Sequence, residues 1–211
     1  ALPFGVLEQP SGAQGAVAFE PALDAKRKAF AGLESGSVLK VILKFRNAFW
    51  EELDGGRYED AAFFHAPGAA FPTFWSALPV RAPLLCAWCA GPNAARLSGR
   101  AETTIVRAAL DGARAVFGAR AGVARRLEAS FVHDWQADPF ARGAYCYVTV
   151  GGRHAREGLA EPLRGTLFFA GEAAATSGES GTVAGALQSG ERAAEQWLAA
   201  RARRHGATRG R

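Results

Sequence analysis

Lys40 is the residue whose type and setting best suit proton handling. It stands inside the apolar run Val38-Leu39-Lys40-Val41-Ile42-Leu43. An ammonium is costly to bury unless it is paired or bridged by water. Desolvation also lowers the pKa of a lysine, which makes it a better proton acceptor. An edge strand from which Lys40 and Lys44 reach solvent explains the same pattern.

A second unit runs Leu167-Phe168-Phe169-Ala170-Gly171-Glu172, then a small-residue loop to Gly181-Thr182-Val183-Ala184-Gly185-Ala186. It reads as strand, turn, loop and helix. A helix N-terminus offers unpaired N–H groups and the positive end of a dipole, so it suits an anion or an electron-rich ring edge. Gly181 and Gly185 let a flat ligand or another backbone come close. Glu172 can accept bonds from hydroxyls or amides. A plain strand–loop–helix link with Glu172 as a cap is the competing reading.

A third unit is Trp135-Gln136-Ala137-Asp138-Pro139-Phe140-Ala141-Arg142-Gly143-Ala144-Tyr145-Cys146-Tyr147. Tyr145 and Tyr147 share a face of a short strand. With Trp135 they could wall a flat or cationic ligand, or simply pack around a turn. Cys86-Ala87-Trp88-Cys89 has C-x-x-C spacing. In a buried strand, residues three apart point to opposite faces, so these thiols diverge and do not form a redox or zinc pair. His65, His133, His154 and His205 have no ligand spacing and read as surface or packing residues. G-x-S-x-G, P-loop and G-x-G-x-x-G patterns are missing.

These residues need elements to hold them. Pro21 to Leu33 reads as a helix, Ser37 to Phe45 as a strand, and Leu84 to Ala90 as a buried strand. Ala16 to Phe19, Ala62 to His65 and Phe71 to Trp75 read as short strand-like pieces. Glu102 to Phe117 has the apolar spacing of an amphipathic helix. Leu127 to Trp135, Tyr145 to Val150 and Thr166 to Ala170 read as strands, and a long helix follows from about Thr182 to Arg203. The fold class expected is α+β, with a mixed, partly antiparallel sheet and helices.

The chain has 211 residues, 49% of them hydrophobic and 21% charged, enough for one large domain or two small ones. Its net charge is +5, nearly all of the excess from arginine. The basic residues form no aromatic-interleaved patch, so no nucleic-acid partner is expected. The arginine-rich end, 205–211, reads as a disordered tail. The arginine, alanine and glycine bias suggests a GC-rich bacterial genome. No apolar run nears the ~18 residues of a membrane span. Three thiols without a disulfide framework suit a reducing cytoplasm.

The motifs, in order, resemble those of the flavin-containing amine oxidases: monoamine and polyamine oxidases and, most closely in wording, the lysine-specific histone demethylases. The matching stretches are Ala1 to Leu7, Gly36-Ser37-Val38-Leu39-Lys40-Val41, Trp135 to Tyr147, and Phe168 to Glu172 with Gly181 to Gly190. The resemblance implies oxidation of a primary or secondary amine to an imine, with hydride passing to FAD. It implies that Lys40 holds a water near flavin N5 and that Tyr145 walls an aromatic cage around the amine. Trp135 would pack near the flavin, and Gly171 and Glu172 would meet its ribityl or diphosphate region. Thr182 and Val183 would begin the helix facing N1 and O2, where negative charge develops.

Departures from the family pattern sharpen these expectations. Ala144 stands where monoamine oxidases have a covalent-flavin cysteine, so FAD should be non-covalent. Thr182 falls near the second cage aromatic, which leaves the cage half open. Ala173 replaces a usual Thr or His. The dinucleotide-binding G-x-G-x-x-G unit is missing. This chain alone is therefore expected to hold FAD weakly or not at all, and to need a missing N-terminal region or a separate chain. The expected organisation is an FAD-domain end at 1–9, a substrate domain at 10–135, an FAD-binding segment at 136–204 and the tail. An amino-acid oxidase, a protoporphyrinogen-oxidase-like flavoprotein or a non-catalytic subunit are the alternatives.

Overall fold

The computed structural model describes residues 2–208. Its strands are β1 (Leu33–Ser35), β2 (Val38–Phe45), β3 (Phe63–His65), β4 (Thr73–Ser76), β5 (Leu84–Ala90), β6 (Leu127–Asp134) and β7 (Cys146–Val148). Its helices are α1 (Phe4–Leu7), α2 (Arg27–Phe30), α3 (Gly91–Leu97), α4 (Glu102–Phe117), α5 (Val123–Arg126), α6 (Ala155–Ala160) and α7 (Val183–Thr208). The class is α+β, as expected. Every described ladder is antiparallel, so the sheet is not mixed.

The chain divides into two compact units, Ser37–Asp138 and the remainder. The substrate domain expected at 10–135 therefore loses residues 10–36. The reason is pairing: β1 joins β7, and the backbone of Gly36 exchanges hydrogen bonds with Ala144 and Tyr145.

The Ser37–Asp138 unit is a five-stranded sheet in the order β3-β4-β5-β2-β6. β2 alternates. Leu39, Val41, Leu43 and Phe45 are fully buried, while Lys40 and Ile42 are half-buried and Lys44 is exposed. The buried set shares one core with Ile105, Ala109, Ala113 and Phe117 of α4, whose spacing puts them on one helix face. Phe45, Phe49, Trp50 and Phe117 meet edge-on or stacked at 5.1–6.5 Å between ring centroids. Such pairs each add about 0.5–1.5 kcal/mol beyond area burial.

In the other unit, Phe4, Ala29, Leu33, Cys146, Leu159 and Ala174 form a smaller core. The helix expected over Pro21–Leu33 is a 3-10 turn at Leu23–Lys26 followed by the single turn of α2. It stops because Gly32 lies against the backbone of Gly152, where a Cβ on either residue would collide with the other. The chain leaves that crossing directly as β1. Ala16–Phe19 forms no strand. Thr166–Ala170 contributes only the isolated bridge Leu163↔Leu167. Its composition suits a strand, but no described segment lines up beside it. α7 continues past Arg203 to Thr208, shortening the expected tail; residues 209–211 lie outside the described residues.

Candidate functional site

The Gly171–Glu172 turn sits where α7 can brace it. Gly171 has φ 133°, a conformation that favours glycine. Ser189, buried on α7, accepts from the Gly171 amide at 2.8 Å and donates back toward its carbonyl at 3.1 Å. Arg192, one turn on, donates to the carbonyls of Phe169 (2.6 Å) and Ala174 (2.7 Å). Burial holds its pKa below the usual arginine value. From α6, Arg156 donates to the carbonyls of Glu172 (3.0 Å), Ala173 (3.1 Å) and Cys146 (2.7 Å). The turn is thus clamped on both sides by guanidinium groups. Neither arginine stands out in the sequence, because the partners are backbone carbonyls that no motif marks.

Glu172 Oε1 accepts from the Cys146 amide at 3.0 Å, tying the turn to β7. Its Oε2 is buried and has no hydrogen-bond partner among the described residues. A buried oxygen without a donor is rare and calls for a reason. Gly171 and Glu172 border a hollow of about 340 Å³ that is otherwise lined largely by apolar groups, including Phe4, Leu159 and Phe169.

Thr182 caps α7. Its hydroxyl accepts from the Gly185 amide at 3.0 Å and donates to the Glu179 carbonyl at 2.6 Å. This is a capping geometry, so the hydroxyl of Thr182, the residue expected near the second cage position, is committed to the helix. The amides of Val183 and Ala184, in the first turn of this 26-residue helix, have no hydrogen-bond acceptor among the described residues. The exposed ring of Tyr145 lies alongside, 3.6 Å from where a Cβ on Gly181 would be. Gly181 has φ 74°, a backbone conformation that favours glycine. A hollow of about 640 Å³ adjoins Tyr145, Tyr147, Arg156 and Gly181.

Lys40 and Trp135 belong to the sheet unit. Lys40 lies in the interior strand β2, which removes the edge-strand explanation. Its Nζ stands 5.4 Å from the centroid of the Trp75 ring, a cation–π arrangement. Its ladder partners are Trp88 on β5 and His133 on β6. The His133 ring lies 4.1 Å from that of Trp135, and its Nε2 is 3.1 Å from Asp138. Asp134 accepts from Ser98, Gly99, Gln136 and Ala137, fixing the turn that carries Trp135. The structure thus gathers Tyr145, Gly171, Glu172, Thr182 and Val183 in one unit, and Lys40 with Trp135 in the other. His133, read from sequence as a surface or packing residue, joins Lys40 to Trp135 across the β2–β6 ladder.

Cys86 and Cys89 behave as expected for opposite strand faces. Cys86 pairs in register with Ile42 on the open face and Cys89 with Leu39 on the core side. Burial raises both thiols, and Cys146, to about 11. Among the described residues no group of three or more His, Cys, Asp or Glu could hold a metal. No described helix is long and apolar enough to cross a membrane.

The donor set in the helical unit fits a flavin-type ligand. Two helix-end amides suit an electron-rich ring edge, an unpaired carboxylate oxygen suits a hydroxyl, and an exposed tyrosine offers a flat wall.

Comparison with known proteins agrees. A family model described as flavin containing amine oxidoreductase matches residues 1–198. Lysine-specific histone demethylase 1 homolog 3 of Arabidopsis thaliana is 32% identical over 196 residues, covering 92% of this chain and 12% of that protein. Lysine-specific histone demethylase 2 of Homo sapiens is 31% identical over 204 residues, covering 92% and 23%. Among solved structures, a putrescine oxidase variant matches with a TM-score of 0.74 and 19% identity, covering 94% of this chain and 42% of that one. Cyclohexylamine oxidase from Brevibacterium oxydans IH-35A matches at 0.63 with 24% identity, covering 86% and 40%. These two likenesses speak to the fold. The chain spans under a quarter of those curated relatives and about two-fifths of the solved chains. With the family model covering nearly its whole length, the chain belongs to the flavin-containing amine oxidoreductases.

Proposed function

We propose that this chain supplies the amine-handling sheet and one side of the flavin site of an FAD-dependent oxidase that converts a primary or secondary amine to an imine. The observation that carries the reading is the start of α7. The Tyr145 ring lies against Gly181, two residues before Val183 opens the helix, and among the described residues Glu172 keeps an unpartnered buried oxygen in the same unit. FAD, when bound non-covalently, supplies the acceptor for the hydride that leaves the amine carbon. The helix-end amides stabilise negative charge on the ring edge they face. Glu172 Oε2 takes a hydroxyl of the cofactor's chain, and Tyr145 walls the amine. Within the sheet unit, Lys40, beside the Trp75 ring, holds a water for the amine chemistry. Residues outside this sequence, in the same or another chain, hold the adenosine half.

The substrate nitrogen must be neutral, its lone pair forming the C=N bond as its carbon releases hydride, so the rate should rise with pH up to the amine's own pKa. The test is flavin binding, followed by anaerobic flavin reduction by amines, with Lys40→Met as the variant. Slower reduction with unchanged circular dichroism is expected. Reduction at the parent rate would remove Lys40 from the chemistry. A chain that neither binds FAD nor restores binding when combined with the complementary segment would overturn the oxidase reading.

A further inference from the structure

The core side of the five-stranded sheet is covered by α4, but the side that carries Lys40 is not. The registers show what that open face presents. One row crosses the strands as Phe63, Trp75, Cys86, Ile42 and Phe131. The next row crosses as His65, Thr73, Trp88, Lys40 and His133. Directly opposed residues on neighbouring antiparallel strands share a face, so each row is a continuous line of side chains. Phe63 is 63% exposed and Phe131 62%. These two lie on the opposite edge strands, with half-buried Trp75 and Ile42 between them, a row that suits an apolar ligand.

The two rows carry no carboxylate: Lys40, His65 and His133 are their basic groups, Lys44 lies one row further on, and no Asp or Glu occupies either row. The carboxylates at the margin are engaged: Glu128 with Lys44 at 3.0 Å, and Asp138 with His133 at 3.1 Å. A ligand that lays a second ammonium along these rows would desolvate it beside Lys40 with no counter-charge. A hydrocarbon or aryl group laid there meets Trp75, Ile42, Phe63 and Phe131.

We propose that this face selects amines with one nitrogen and an extended apolar or aryl substituent, and disfavours diamines and polyamines. The proposal rests on the amine-oxidase reading and deepens it to a substrate class.

The experiment titrates the full chain with butylamine, hexylamine, 1,6-diaminohexane and spermidine, read by calorimetry and tryptophan fluorescence. Affinity should grow about four-fold per methylene from butylamine to hexylamine, the factor given by full burial of one CH2. 1,6-Diaminohexane should bind at least ten-fold more weakly than hexylamine. In Phe131→Glu, an exposed edge-strand replacement, 1,6-diaminohexane should gain about ten-fold. Equal or tighter binding of the diamine or spermidine by the parent overturns the proposal. So does a chain that binds none of the amines, or a Phe131→Glu chain with unchanged preference. FAD titration of the same sample reports separately on the oxidase reading. Hexylamine preference without flavin binding would leave the selectivity standing and count against the oxidase.

Discussion

The two oxygens of Glu172 have different surroundings, and separate substitutions can read each one. Oε1 accepts the Cys146 amide at 3.0 Å, a charge-assisted bond from β7 to the turn. Glu172→Ala leaves that amide without its acceptor, which costs about 2–3 kcal/mol. In a chain of this size that is a fall of roughly 5–10 °C in Tm. Glu172→Gln keeps a neutral acceptor for the amide and replaces the unpartnered Oε2 by an NH2 group. Its stability should stay within about 1 kcal/mol of the parent, since lost charge assistance is offset by removal of a partly desolvated charge. Flavin binding should respond in the opposite sense. If Oε2 receives a cofactor hydroxyl, Glu172→Gln loses about 1.5–3 kcal/mol of binding, a roughly 10- to 150-fold weaker Kd. Thermal unfolding by circular dichroism and flavin-fluorescence quenching give the two numbers. Glu172→Ala melting with the parent would refute the anchoring role of Oε1. Unchanged FAD affinity in Glu172→Gln would refute the ligand role of Oε2.

Three further outcomes follow from the geometry. Thr182→Ala removes the N-cap of α7 and should cost about 1 kcal/mol, with faster amide exchange at Gly185, while Thr182→Ser restores both. Lys26, buried at 4% exposure, donates to the carbonyls of Gly158 (2.8 Å) and Glu161, so Lys26→Met should lower stability by about 1–3 kcal/mol in unfolding curves. Burial lifts the thiols of Cys86, Cys89 and Cys146 from 9.0 to about 11, so between these values the folded chain holds more protons than the unfolded chain. The stability they contribute is therefore intact below pH 9 and lost as pH rises to about 11. Cys146→Ala should flatten part of that decline, and iodoacetamide at pH 8 should label the native thiols slowly and the denatured ones fast.

The two lysines show where reading along the chain stops. Lys40 draws attention because its neighbours in sequence are apolar, yet it is half-buried: alternation sends it to the sheet face that α4 does not cover. Lys26 has a mixed local setting and is the buried lysine, because the carbonyls that receive it come from residues 158 and 161. Thr166–Ala170 teaches the same lesson for backbone. A strand needs a partner as well as β-favouring residues, and composition reports only the residues. The boundary at Gly36 could not be seen locally either, since β1 is held to its unit by β7, more than 100 residues later.

Local pattern was sufficient for β2 and α4, whose buried faces repeat about every two or every 3.6 residues, and for β5, whose short apolar run is buried on both faces. Motif order was sufficient for the family, because glycines, the Gly-Glu pair and the start of α7 are constrained by backbone conformation close to home. The clamps on the Gly171–Glu172 turn and its flanks by Arg156 and Arg192, the alignment of His133 with Lys40, and the carboxylate-free rows of the open sheet face came from packing. Each depends on which distant strands and carbonyls are brought side by side. That pairing is a property of the folded chain, and no single stretch of residues encodes it.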